Sequence, residues 1–246
     1  MKTLTKNCVN WVKEYFANLG QTKAVVGISG GKDSTVVAAI CVAALGKENV
    51  FGVMMPNGVQ KDISDSQKVI DHLGIKGFTV NIGNAFNDLC NEICLGQELT
   101  YDTKTNLPAR LRMSTLYAVG QTLGAMVANT CNLSEDIVGY ATLYGDSAGS
   151  FAPLSHLTTE EVMEIGDDLG MPTELVHKTP IDGLQPLTDE DKLGFTYHEV
   201  NELIRKGVKG PNYEKIMKMY LANKFKTDII QIPYFNPHLP NVLETI

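Results

Sequence analysis

The 246-residue chain carries 21 Lys and Arg against 28 Asp and Glu, a net charge of −7, with 43 % hydrophobic and 20 % charged residues. That balance suits a globular protein with a sizeable core, and it counts against disorder, a nucleic-acid track or an anionic membrane surface, which need low hydrophobicity or a basic face. The longest uncharged apolar run, Thr35 to Leu45, is about half of the ~20 residues a membrane helix needs, and the N-terminus holds Lys2, Lys6, Lys13 and Glu14 with no signal-type stretch, so a cytoplasmic protein without membrane or nucleic-acid partners is expected.

Lys23 to Ser29 is a short β-branched run ending in glycines, and Ser34 opens an apolar helix closed by Gly46. Val50 to Met55 predicts a second strand. Ser64 with Gln67 has capping-box spacing for a helix stopping at Gly74, and Phe78 to Ile82 predicts a third strand. Helices are expected at Asn84 to Leu95 and at Pro108 to Leu123, then a fourth strand at Ala125 to Asn129. Thr158 with Glu161 and Thr196 with Glu199 repeat the capping-box spacing, and Gly170 and Gly207 close the helices they start. Ile232 to Pro240, with three prolines, predicts an irregular strap over the surface.

Strands joined by crossover helices predict an α/β fold: a doubly wound, Rossmann-like parallel sheet flanked by helices, in a single domain over residues 1–246. Such a sheet binds ligands at the carboxyl ends of its strands. The loops after Ser29, Met55 and Asn129 should therefore face one site. Of the five cysteines none forms C-x-x-C, and only Cys90 and Cys94 lie one helical turn apart, so buried or half-buried thiols are expected rather than disulfides.

The sharpest chemical feature is GISGGKDS, Gly27 to Ser34, between the first strand and a helix. Glycines let backbone amides approach an anion, and the helix N-terminus behind them adds roughly half a positive charge, so the loop can hold phosphates. It is neither of two common phosphate loops. Val26 stands where a Walker A loop needs its first glycine, Asp33 follows Lys32 in place of Ser or Thr, and Ser29 occupies the second glycine of G-x-G-x-x-G.

SGGKDS resembles the pyrophosphate loop of the ATP pyrophosphatase families, which cleave ATP between its α- and β-phosphates. NLPARLRMSTLY (Asn106 to Tyr117), NTCNLSEDIVGYATLYGD (Asn129 to Asp146) and LTDEDKLGFTYHEVNELI (Leu187 to Ile204) are similar to segments of ammonia-dependent NAD synthetase. The resemblance implies an adenine nucleotide alpha hydrolase-like fold, a homodimer, ATP as co-substrate and Mg²⁺ as cofactor. It implies that the nicotinate carboxylate of deamido-NAD attacks the α-phosphate of ATP, pyrophosphate leaves, and ammonia displaces AMP.

Carried over residue by residue, the resemblance puts Gly27, Ile28, Ser29, Gly30, Gly31, Lys32, Asp33, Ser34 and Thr130 on ATP. It makes Asp33 and Glu135 magnesium ligands, hard oxygen donors of the kind Mg²⁺ prefers. It puts Arg110, Tyr140 and Lys226 on deamido-NAD. Arg112, about 200° from Arg110 around a helix, is expected in an inter-element ion pair instead. The chain departs from the family at Leu143, where Lys is common, at Ser150 in place of Asp, at Thr159 in place of an ATP-contacting Lys, at Ile181 in place of Thr, and at Phe225 before Lys226 in place of a His-Lys pair. Those departures leave open another adenylating ligase or sulfur transferase of the same fold, or a non-catalytic nucleotide-binding protein. The segments before Gly27 and after Ile204 are too short for a glutaminase domain, and no cysteine has a base beside it, so ammonia is the expected nitrogen donor.

Overall fold

The computed structural model describes residues 1–246 except 61–62, 94–95, 179–187, 230 and 246. In chain order the described residues form α1 (Thr3–Asn18), β1 (Ala24–Gly27), α2 (Lys32–Leu45), β2 (Val50–Met54), α3 (Ile63–Leu73), β3 (Lys76–Thr79), α4 (Gly83–Glu92), α5 (Tyr101–Leu123), β4 (Met126–Val127), α6 (Leu133–Val138), α7 (Thr159–Asp168), α8 (Thr173–Val176), α9 (Asp189–Leu193), α10 (Tyr197–Lys206) and α11 (Tyr213–Ile229).

The four strands are parallel in the order β3-β2-β1-β4, with Val25 opposite both Phe51 and Val127. Strand side chains alternate between faces. Ala24, Val26 and Ile28 join one core with α1, α2 and α7, while Val25 joins Phe51, Val53, Leu116 and Val127 in a second core under α5. Helices thus cover both faces, as a doubly wound sheet requires. The order of strands reverses between β1 and β4, and this is where such a sheet opens a crevice. A third cluster, including Ile137, Val200, Ile204 and Ile216, joins α6, α10 and α11 beside that crevice.

Several boundaries differ from the sequence expectation. Helix α1 lies outside the elements expected from the sequence, and Cys8, Val12 and Phe16, spaced by four, form its buried stripe. Helix α2 begins at Lys32 rather than Ser34, with Gly31 as its N-cap, so Lys32 and Asp33 lie in a first helical turn. Ser64 does not cap α3 but lies inside it, and Gln67 donates along the helix to Asp71 at 2.8 Å. The third strand is Lys76–Thr79 rather than Phe78 to Ile82. Helix α5 starts at Tyr101, where the Thr100 hydroxyl caps it by accepting from Thr103 N–H, and Pro108 lies within it. The capping boxes at Thr158/Glu161 and Thr196/Glu199 form as expected. The proline-rich segment is irregular but not merely superficial: Tyr234 bridges to Ala152, and Phe235 is buried beside Trp11.

Candidate active site

The crevice is built from the β1–α2 loop, the segment after β4, and the ends of α9, α10 and α11. Gly30 has φ +78°, and a Cβ there would meet the Ser66 backbone N at 2.8 Å, so only glycine lets this loop lie against the first turns of α3. Ser29 and Ser34 tie the loop together. Ser29 N–H donates to Ser34 Oγ (3.3 Å), Gly31 N–H donates to Ser29 Oγ (3.2 Å), and the two hydroxyls lie 3.0 Å apart. The Ser29 and Gly31 N–H groups are thereby taken up within the loop, whereas the first-turn N–H groups of the 14-residue α2, behind its Gly31 N-cap, have no intrahelical acceptor.

Lys32 is only 5 % exposed. Its Nζ donates to Asp33 Oδ2 at 2.7 Å and to Glu135 Oε1 at 3.4 Å, the latter 103 positions from Lys32 in the chain. Burial acts to lower its proton affinity, but Asp33 and Glu135 outweigh burial and hold the ammonium charged. Burial, followed by the charge of Asp33, pushes the Glu135 carboxyl well above the usual carboxylate range, against the opposing pull of Lys32. Asn132, fully buried, ties the two helices together: its Oδ1 accepts from the Glu135 backbone N–H at 3.2 Å as the N-cap of α6, and its Nδ2 donates to Asp33 Oδ1 at 2.9 Å.

On the next wall, Tyr140 OH donates to the buried Asp189 at 2.8 Å. Lys226 Nζ, from α11, donates to the carbonyls of Gly139 (2.7 Å) and Ala141 (3.0 Å), holding the loop that carries Tyr140. Burial lowers the Lys226 ammonium while Asp146 and Asp136 oppose that effect, and burial with Asp146 pushes Asp136 up to about 7. Arg110 Nε donates to Leu143 O at 3.2 Å from the exposed side of α5. Arg112 turns the other way, as its spacing requires, but its Nε donates to Met55 O at 3.0 Å, so its partner is the carbonyl beyond β2 rather than the carboxylate of an ion pair.

The structure thus gathers Gly27, Ile28, Ser29, Gly30, Gly31, Lys32, Asp33, Ser34 and Glu135 in one cluster, with half-buried Thr130 leading into it and Tyr140 and Lys226 on an adjoining wall. Arg110 stands apart on the rim. Of the divergent positions, Thr159 is buried and bonded to Asn201 (3.0 Å), so it lies inside the protein rather than in the crevice. The Ser150 hydroxyl accepts from Val127 N–H at 3.3 Å, and Ile181 lies outside the described residues. Sequence reasoning missed Asn132 and Tyr197. The first follows directly from its place before Leu133, where an N-cap is expected. The second carries no local signal: Tyr197 is 5 % exposed, its hydroxyl finds no hydrogen-bond partner, and burial followed by the charges of Glu135, Asp189, Tyr140 and Asp33 drives its proton affinity far up.

Among the described residues no group of three or more His, Cys, Asp or Glu is placed to hold a metal. The donor set nonetheless suits Mg²⁺, which takes one or two carboxylates and completes its octahedron with water and substrate phosphates. Asp33 and Glu135 are two such carboxylates beside a phosphate-type loop, and the buried Tyr197 hydroxyl, on which the charges of both act, is without a hydrogen-bond partner.

Comparison with known proteins follows the same lines. The NH(3)-dependent NAD(+) synthetase of Pyrococcus horikoshii is 39 % identical over 196 residues, 78 % of this chain and 75 % of that protein. The solved NMN synthetase from Francisella tularensis superposes with a TM-score of 0.84 at 31 % identity, covering 94 % of this chain and 98 % of that one. The NH3-dependent NAD synthetase from Campylobacter jejuni, solved with a nitrate ion, gives 0.76 at 25 % identity over 94 % and 99 %. The family described as NAD synthase matches residues 4–236 of the sequence, and with that span covering the sheet, the loop and the carboxylate pair, the chain belongs to the NAD synthase family.

Proposed function

We propose that this protein is a carbon–nitrogen ligase of NAD biosynthesis that amidates deamido-NAD to NAD with ATP and ammonia. The observation that carries this reading is the convergence of the β1–α2 phosphate loop with Asp33 and Glu135 at the sheet's switch point, within a family whose relatives are NAD synthetases. The Gly27 to Ser34 loop and the first-turn amides of α2 hold the phosphates of ATP, aided by Thr130. Asp33 and Glu135 would hold Mg²⁺, which would supply charge neutralisation for the leaving pyrophosphate. Arg110 pairs with a dinucleotide phosphate through its planar guanidinium, and Tyr140, steered by Asp189 and by the Lys226-braced loop, stacks on the pyridine ring. The acceptor carboxylate displaces pyrophosphate at the α-phosphorus; ammonia then forms the C–N bond as AMP leaves and the nitrogen gives up one proton. The residues act chiefly by placing donors where charge develops.

A homodimer suits the family and α5, on which only Pro108, Leu116 and Gly120 are fully buried across 23 residues. A cytoplasmic setting suits the free thiols of Cys8, Cys41, Cys90 and Cys131. The chain acts as one catalytic domain.

A second reading has specific support. Leu143 turns only its carbonyl to Arg110, and the Ser150 hydroxyl is committed to the sheet edge, so two polar contacts to the second nucleotide half are missing. The similarity to an NMN synthetase fits that loss and favours nicotinate mononucleotide as acceptor. One assay decides: pyrophosphate release and amide formation from ATP, Mg²⁺ and ammonium with deamido-NAD, nicotinate mononucleotide or no acceptor. Turnover only with deamido-NAD supports the first reading, turnover mainly with the mononucleotide supports the second, and equal release without either overturns both. Glutamine free of ammonia should give almost no product.

A further inference from the structure

Lys32 is an unusual residue for its place. A cation in the first turn of a helix meets the positive end of the helix dipole, and burying an ammonium is costly unless it is paired. Yet Lys32 lies in the first turn of α2, 5 % exposed, with its Nζ between one oxygen of Asp33 and one of Glu135. Those are the two carboxylates that fit a divalent cation. Both side chains are mostly buried, 18 % and 16 % exposed, so an ammonium and a metal ion placed there would compete for the same oxygens. Lys32 is also the sole ammonium within salt-bridge distance of either carboxylate among the described residues.

We propose that Lys32 is a resident counter-cation that holds the divalent-metal position between Asp33 and Glu135 in the free enzyme, so that metal enters only with the nucleotide. The inference rests on the ATP-dependent reading above. Lys32 directly follows the loop that would cradle the phosphates, and its flexible four-carbon stem lets the ammonium swing from the carboxylates to an arriving phosphate while its backbone stays in α2. Exchange of one cation for another keeps the carboxylate pair compensated throughout. It also keeps the empty pair from collecting metal unproductively, because metal and nucleotide then bind as a coupled set.

The test is Mn²⁺ binding to the intact protein, followed by the loss of the free Mn²⁺ electron paramagnetic resonance signal, without nucleotide or acceptor. Wild type should bind Mn²⁺ weakly, and Lys32→Met at least tenfold more tightly. Lys32→Gln, which keeps a donor but removes the charge, should behave like Lys32→Met and serves should the first variant not fold. Adding Glu135→Gln to either should abolish the gain. With the α,β-methylene analogue of ATP present, wild type should approach the variants. Equal Mn²⁺ affinity of wild type and both variants, tight in all, would overturn the gating role while leaving the metal site standing. Absence of binding in every protein, with or without the analogue, would remove the metal site and the inference with it.

Discussion

Asp33→Asn tests whether the carboxylates stabilise the fold as well as the chemistry. Asp33 lies in a first helical turn, 18 % exposed, with one oxygen 2.7 Å from Lys32 Nζ and the other accepting from Asn132. An asparagine keeps one acceptor and turns an amide N–H toward either an ammonium or another amide, two donors face to face. Removing one partner of a buried ion pair costs about 3–5 kcal/mol because the remaining charge stays buried. Here Glu135 still lies 3.4 Å from Lys32 and is freed from the repulsion of Asp33, which offsets part of the loss. We expect a net cost of about 2 kcal/mol, a fall in Tm of about 4–8 °C for a chain of this size. Thermal melts followed by circular dichroism at neutral pH, with urea midpoints as a second measure, read it out. Lys32→Met/Asp33→Asn should recover most of the loss, since the orphaned ammonium is gone. Should Asp33→Asn melt within a degree of wild type, or the double variant be no more stable than the single, the pair contributes nothing to the fold and the argument fails.

Arg110→Ala should remove one charged hydrogen-bond partner of the acceptor, about 1.5–3 kcal/mol, raising the KM for deamido-NAD about 10- to 150-fold with the KM for ATP little changed; equal losses for both would make the arginine structural. Tyr197→Phe should raise the Tm of the free protein by relieving an unsatisfied hydroxyl, while weakening nucleotide binding in a fluorescence titration; a lower Tm would mean that the hydroxyl is bonded in the free protein. Gly139→Ala should cost at least about 2 kcal/mol in urea melts, because φ is +71° and the new Cβ would clash with the Asn223 side chain; unchanged stability would show that α11 yields freely there.

What the sequence discloses is mostly what is local. The boxes at Thr158 and Thr196 form because acceptor and donor lie three residues apart, and the parallel sheet follows from strand and helix runs of ordinary length. Failures arise where another part of the chain decides. The third strand shifts toward Lys76 because its register is set by Phe51 to Met54, not by its own apolar run. Pro108 looks like a helix start, yet the Thr100 cap begins the helix a full two turns earlier. The phosphate loop is legible as a motif, but the Lys32 bridge to Glu135 spans 103 positions and has no local signature. Thr159 reads as a lost contact in the crevice, whereas its burial against Asn201 makes it part of the support beneath α6 and α7.

Asn132 carries a consequence for which replacements the chain can accept. Asparagine and aspartate are interchangeable at most helix starts, since both present an oxygen to the waiting N–H groups. Here the other half of the amide is engaged with Asp33, so an aspartate would cap α6 as well as before and yet set a third negative group against Asp33 and Glu135. One flat group of a few atoms therefore joins the Asp33 carboxylate of one helix to the backbone start of another, and a substitution harmless by every local rule would turn that link into a repulsion.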